Sequence, residues 1–347
     1  MGKLRVVFFV GLSMLVFNHS VMAQAEAAEE PLSFEEIYDD PYGINKLFVS
    51  FQPFYGELFA TNVNAGFGLE AHYFHTNKFD VKAQFRKTYS SKFYDFNREL
   101  ANKNSLMDSK QSKFNYIEIG GTYHVKDFEE ASTTKVVLYK KDYTANQWAS
   151  MVPLKADVPV RLRTIIGVRA GAFMWNSTAD VSRALEKQDL TNADLVTASN
   201  ESLPDTYIDA NGETQKLTVY SNLYSTSLYV GGSITRIRNM AVSFNNYDEG
   251  FDDGIITLFM DIMFSPSLRL DPVAYNNSSY SVQAITLNTL GIRAGIDGKF
   301  NRKIGWAYGA EMGYRPSIEG RGFFALIKVA FPILGTNLES KADSYGK

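Results

Sequence analysis

The sequence predicts an all-β fold, a transmembrane antiparallel β-barrel of about 12 strands within a range of roughly 10 to 14, on three observations. The first is strict alternation in Lys303–Arg315. Ile304, Trp306, Tyr308, Ala310, Met312 and Tyr314 share one face, and Gly305, Ala307, Gly309, Glu311, Gly313 and Arg315 the other. The second is the return of this pattern, apolar outside and small or charged inside, along most of the chain. The third is an export-type leader: Lys3 and Arg5, the apolar run Val6–Phe17, and the small-residue exit Val21-Met22-Ala23 before Gln24.

Four regions follow: a signal peptide at 1–23, a mobile acidic segment at 24–45, the barrel with long loops at 46–332, and a polar tail at 333–347. The leader's apolar core is short for a spanning helix, and no later segment offers about eighteen unbroken apolar residues. The chain has no cysteine, which excludes lipid anchoring through an N-terminal Cys, disulfides and thiolate metal sites. Without Lys3 and Arg5 the 35 basic residues fall to 33 against 38 acidic ones, a mild acidity that gives no support to a nucleic-acid partner. Twenty-five Phe, 20 Tyr and 25 Gly suit aromatic interface belts and crowded strand positions.

Each strand candidate rests on its own alternation. Lys46–Tyr55 sets Leu47, Val49, Phe51 and Tyr55 outward; Gly66–Phe74 sets Phe67, Leu69, Ala71 and Tyr73 outward and Glu70 and His72 inward. After the turn His75–Lys78, Phe79–Thr88 points Lys82, Gln84 and Arg86 inward. A polar insert, Tyr89–Lys113, leads to Phe114–His124, with Tyr116, Glu118 and Thr122 opposite Ile117, Ile119 and Tyr123, and then to the short candidate Thr134–Lys140. Val160–Met174 places Leu162, Thr164, Ile166, Val168, Ala170, Ala172 and Met174 outward and Arg161, Arg163 and Arg169 inward. An arginine on the lipid side at mid-membrane costs roughly 2–4 kcal/mol, so their shared parity assigns them to the lumen.

Trp175–Lys216 is polar and irregular, and Asp209-Ala210-Asn211-Gly212 within it reads as the turn of a small external hairpin. Leu217–Arg236, Ile255–Phe264 with Asp261 inward, Val282–Asp297 with Arg293 and Asp297 inward, Lys303–Arg315, and Gly322–Phe331 with Lys328 inward complete the set; Pro332 is expected to stop the last. An even strand number is expected, so Val242–Phe244 or the hairpin within Trp175–Lys216 is the expected twelfth strand, with a bent Leu217–Arg236 as the alternative. The latter region is expected on the cell exterior, where loops are longer.

The expected lumen charge network is Glu70, His72, Lys82, Arg86, Glu118, Arg161, Arg163, Arg169, Asp261, Arg293, Asp297, Glu311, Arg315 and Lys328. Such mixed charge reads either as a salt-bridged plug that closes the barrel or as a charged conduit whose arginine excess suits an anionic solute. Asp248, Glu249, Asp252 and Asp253 lack the spacing of a calcium loop and read as a solvated turn. Past the leader only His72, His75 and His124 remain, in no metal-ligand motif; His75, near a strand end, is the one attractive position for a catalytic base, and no nucleophile constellation or nucleotide loop accompanies it. No catalytic residue, metal or cofactor is therefore expected.

With its leader and repeated strands, the chain resembles the outer-membrane β-barrels of Gram-negative bacteria, those of the Bacteroidota among them. Leu228-Tyr229-Val230-Gly231-Gly232 and Glu311-Met312-Gly313-Tyr314-Arg315-Pro316 look like strand ends from such proteins. The run Ile333–Lys347 beyond the last aromatic strand residue departs from the common porin ending. The resemblance implies the cell outer membrane as location, its lipid and lipopolysaccharide as surroundings, and a protein partner in the envelope. It leaves two expected functions: a non-enzymatic structural or accessory component of an envelope assembly or secretion complex, or a porin-like channel for small polar or anionic solutes.

Overall fold

The computed structural model describes residues 33–60, 62–75, 78–89, 108, 110–138, 154–209, 211–244, 247, 249–301 and 305–335. The expected signal peptide, much of the Tyr89–Lys113 insert and most of the expected polar tail lie outside them. Strands follow in the order β1 (Phe34–Asp39), β2 (Leu47–Phe59), β3 (Asn62–His75), β4 (Phe79–Thr88), β5 (Asn115–Leu138) and β6 (Leu154–Asp180). Helix α1 (Val181–Lys187) precedes β7 (Thr206–Ile208), β8 (Thr214–Lys216), β9 (Tyr220–Ile237), β10 (Met240–Phe244), β11 (Gly250–Asp252) and β12 (Gly254–Leu270). The chain continues as β13 (Val273–Tyr275), β14 (Ser278–Tyr280), β15 (Leu287–Asn288), β16 (Leu290–Phe300), β17 (Ala307–Tyr314), β18 (Ser317–Ile318) and β19 (Phe323–Gly335).

Ten strands close a barrel in the order β12-β16-β17-β19-β2-β3-β4-β5-β6-β9, every neighbouring pair antiparallel. The expected count of about twelve is corrected for two reasons. Phe114–His124 and Thr134–Lys140 belong to one 24-residue strand, because the charged run between them stays paired with β6 to Leu138. Val242–Phe244 and the Asp209–Gly212 hairpin are strands, but β10 pairs with β1 and β11, and β7 with β8, all outside the barrel. In the hairpin the Asp209 carboxylate accepts the backbone N–H groups of Glu213 and Asn211, which holds it below the usual aspartate range, while Gly212 takes φ +83°.

Prolines mark local register shifts. At Pro53–Phe54 two residues face the single Phe67, and this one extra residue flips the parity of β2, so Tyr55, expected outward, is fully buried, with Glu57 and Phe59 beside it. Pro266 sits in a shift of β12, and Pro332 in one of β19, which resumes pairing at Leu334 rather than ending. A bulge tolerates the missing amide hydrogen that a regular ladder needs.

The barrel's two ends differ. One carries the short β3–β4 turn and the start of β2, and beyond it β5 and β6 project as a hairpin. The β1-β10-β11 sheet covers that hairpin: Met240, Val242 and Phe244 pack on Val136, Leu138, Val158 and Val160. Residues 34–39, expected to be mobile, are thereby an ordered strand, tied by the Asp39 carboxylate to the Arg161 backbone N–H at 2.8 Å. Leu162 and Thr164, which alternation had set outward, are also buried. The other end carries α1 and the connections after β4, β6, β12 and β17. Their apolar residues Val181, Leu185, Leu195, Leu203, Val219, Val273, Tyr275, Tyr280 and Ile318 form one core with inward Phe59, Tyr116, Phe173, Trp175 and Phe324.

Candidate functional site: the charged lumen

Alternation around ten strands turns one face of each into the barrel interior, and the charged side chains gather in its middle third. Arg293 on β16 reaches across to Glu118 on β5, donating through Nη2 at 2.5 Å and Nη1 at 3.0 Å, while its Nε meets Asp261 on β12 at 2.9 Å. Glu311 stands 3.7 Å from the same guanidinium. Glu118 also accepts from Gln84 and the Tyr116 hydroxyl, each at 2.5 Å. Asp261 has a second cation, Arg169, at 3.2 Å, whose guanidinium lies 4.0 Å above the Phe259 ring.

A second group spans the opposite wall. Lys328 on β19 sits 2.8 Å from both Glu70 and Asp297, and Lys82 lies 2.5 Å from Asp297 and 3.5 Å from Glu70. Towards the loop-bearing end Arg315 holds Glu57 through two nitrogens at 3.1 and 3.2 Å and packs 4.1 Å over Phe324. Arg86, with no exposed surface, has no hydrogen-bond acceptor among the described residues and stacks 4.0 Å over the Tyr116 ring. Towards the other end His72 and His124 approach the two oxygens of Asp80 at 2.9 and 3.0 Å, and the Lys299 ammonium meets Nδ1 of His72. That contact requires Nδ1 to accept, leaving the Nε2 hydrogen for Asp80 and the ring uncharged.

Apart from the histidines the central lumen balances: Lys82, Arg86, Arg169, Arg293, Lys299, Arg315 and Lys328 face Glu57, Glu70, Asp80, Glu118, Asp261, Asp297 and Glu311, seven of each sign. Phe48, Phe74, Ile165, Ile237 and Ile255 close the end beneath this network, and the aromatic core closes the end above it. A cavity of about 30 Å³ beside His72, Lys82, Arg169, Asp297 and Lys299 has room for about one water.

Thirteen of the fourteen residues expected in the lumen point into the barrel. Arg163 does so at its rim, donating to Asp127 at 2.6 and 2.8 Å. Arg161 does not: β9 ends opposite Arg163, so Arg161 lies on the projecting hairpin, half-exposed, 3.6 Å from Asp39 and 3.7 Å from Glu129. Alternation missed Glu57, whose parity the Pro53 shift reverses, and it overlooked Asp80 and Lys299 at segment ends, although their even and odd positions match inward neighbours. His75 is at the rim, stacked on Phe79 and near the Tyr73 hydroxyl; the described contacts of the three histidines include no Ser or Thr. Asp252 accepts from Thr134 and pairs with Arg238, Asp253 is buried, and Asp248 lies outside the described residues. Among the described residues no group of three or more His, Cys, Asp or Glu is placed to hold a metal.

The outer wall has the opposite chemistry. Ile119, Tyr123, Val168, Leu228, Val230, Leu258, Met260, Ile262, Ile292, Met312 and Ile327 are all exposed. Comparison with protein-family models gives no match, and neither does comparison with the curated proteins.

Proposed function

We propose that this protein is a non-enzymatic outer-membrane barrel with a sealed lumen, serving as a structural or accessory component of an envelope assembly or secretion complex. The inside-out dressing of the barrel carries this reading: a continuous exposed apolar band outside, and inside a charge-balanced network capped at both ends by apolar side chains. In water the outer wall would be a hydrophobic patch far beyond the few hundred Å² common on soluble monomers. The outward run Ile256 to Phe264 rises about 27 Å along its strand, which a tilt of roughly 40° converts to about 20 Å of membrane depth. Outward Tyr73, Phe79, Tyr123, Trp306, Tyr308 and Phe331 lie towards the rim opposite the long loops, the placement of an interfacial aromatic belt.

A pore needs a continuous water path. Glu118–Arg293 and Lys82–Asp297 cross the lumen directly, and the cavity beside His72 has room for about one water. These contacts support a scaffold over the porin-like alternative, and leave the loops and the projecting β5–β6 hairpin as the surfaces offered to a partner. The test is planar-bilayer recording with folded, full-length protein. Absence of steady conductance is expected; large stable openings from the unmodified protein would reverse the choice.

A further inference from the structure

The register places one polar row around the outside of the barrel at the loop-bearing rim. Lys87 on β4 pairs with Asn115 on β5, Asn115 with Asn176 on β6, Asn176 with Tyr224 on β9, and Tyr224 with Arg269 on β12. All lie on the face of the exposed apolar band, Arg269 because the shift at Pro266 reverses the parity of β12, and the five strands spread the row over about 19 Å. Directly below it the partners are Phe85, Ile117 and Met174, the last two exposed.

Residues 110–113 are strapped to the same wall. The Asn222 side chain donates to the Lys110 carbonyl at 3.0 Å and accepts the Ser112 N–H at 2.9 Å. Thr178 donates to the Ser112 carbonyl at 3.1 Å, and Asn176 donates to the Lys113 carbonyl at 3.1 Å. Lys110 and Lys113 are thus fixed at the backbone along the same rim as Lys87, all three exposed and without an ion-pair partner among the described residues. Arg269 adds a fourth cation over the Tyr224 ring at 4.8 Å. Two carboxylates stand close by: Asp271, 3.4 Å from Arg269, and Asp108, occupied by the Asn277 N–H at 2.6 Å. The lysines keep the patch cationic.

We propose that this rim binds the phosphorylated headgroup of an acylated glycolipid in the outer leaflet, the phosphates on Lys87, Lys110 and Lys113 and the acyl chains on the Phe85, Ile117 and Met174 surface. The inference rests on the membrane-barrel reading above. Charge above apolar surface is the complement of an anionic headgroup above its own chains, whereas an acidic protein segment would find no use for the apolar half. Asparagine and threonine side chains fix the backbone, so ligand binding orders only the lysine ends.

The test folds the full chain into phosphatidylethanolamine vesicles containing either a bisphosphorylated, acylated glucosamine disaccharide or the same glycolipid stripped of phosphate, and counts glycolipid retained on the extracted barrel. Wild type should retain the phosphorylated form, and joint Lys87→Ala, Lys110→Ala and Lys113→Ala should weaken retention about a hundredfold. Joint Lys126→Ala, Lys135→Ala and Lys155→Ala, at the opposite end, should leave it unchanged. Heat-modified gel mobility reports whether each barrel is folded; if the triple variant is not, the single Lys87→Gln protein carries the comparison. Equal retention of the dephosphorylated lipid, or indifference to the lysines, in protein that inserts normally would overturn the headgroup site and leave the membrane reading standing. Failure of wild type to insert into either vesicle would sink both. Retention abolished by millimolar inorganic phosphate would show an adventitious ion patch and overturn the glycolipid assignment.

Discussion

Neighbouring residues near the middle of β6 give the sharpest test of the membrane reading. Arg169 faces the lumen and Ala170 is exposed on the outer wall, opposite Gly121 on β5 and Val230 on β9. They stand roughly midway between the rim at Arg163 and the polar row at Asn176. Ala170→Arg would put a guanidinium at mid-membrane, costing about 2–4 kcal/mol, whereas on a barrel surrounded by water a surface arginine changes stability by no more than about 0.5 kcal/mol. Arg169→Ala removes one cation from Asp261 but leaves Arg293 at 2.9 Å, so no carboxylate is stranded and the loss is about 1–3 kcal/mol. Since about 1.4 kcal/mol is a factor of ten, Ala170→Arg shifts the folding equilibrium by about thirtyfold to several hundredfold. Denaturant titration of folding into phosphatidylcholine vesicles, read by gel mobility, measures both. A cost below about 0.5 kcal/mol for Ala170→Arg in correctly closed barrels would refute the assignment of the outer wall to lipid.

Three further outcomes follow from the same geometry. Arg293→Leu strands Glu118 and Asp261 in the lumen and should cost about 3–5 kcal/mol, while adding Glu118→Leu should recover part of it; the same titration detects a double variant no better than the single. Conductance, weak or absent in wild type, should rise when Lys328, Glu70 and Asp297 are neutralised together and the 181–219 region over the loop-bearing end is shortened; silence in a folded variant would place the seal elsewhere. Burial raises the Asp39 carboxyl above the usual aspartate range, against the lowering by the Arg161 N–H and guanidinium. A folded-state pKa above the unfolded one means that native protein binds more protons in that window, so docking of β1 weakens as pH rises through it and strengthens on acidification. Hydrogen exchange at Phe34–Asp39 should therefore slow from neutral pH to the carboxylate range after correction for intrinsic rates, and Asp39→Asn should remove the dependence; an unchanged pH response in Asp39→Asn would assign it to another group.

The lumen was legible wherever alternation ran unbroken, because a strand's period of two needs no knowledge of its neighbours. Glu70, Lys82, Glu118, Arg293 and Lys328 follow from the apolar residues beside them. Glu57 and Tyr55 do not: the shift at Pro53 reverses parity, and the sequence marks the proline without saying how many residues the bulge absorbs. Arg161 shows the complementary failure. Its alternation continues that of Arg163 and Arg169, but the barrel wall ends where β9 ends, and that limit is a property of another strand.

By itself the sequence determined the all-β class, the apolar outer and polar inner chemistry, and most of the inward charges, all of which depend on side chains a few residues apart. Only the tertiary structure decided that ten strands close the barrel, that β1, β10 and β11 cover the projecting hairpin, and which acid meets which base. Arg293 and Glu118 are 175 positions apart, and Lys82 and Asp297 are 215. Closure brings them together because strand order and register set the cross-lumen distances, and these emerge from every pairing around the ring at once.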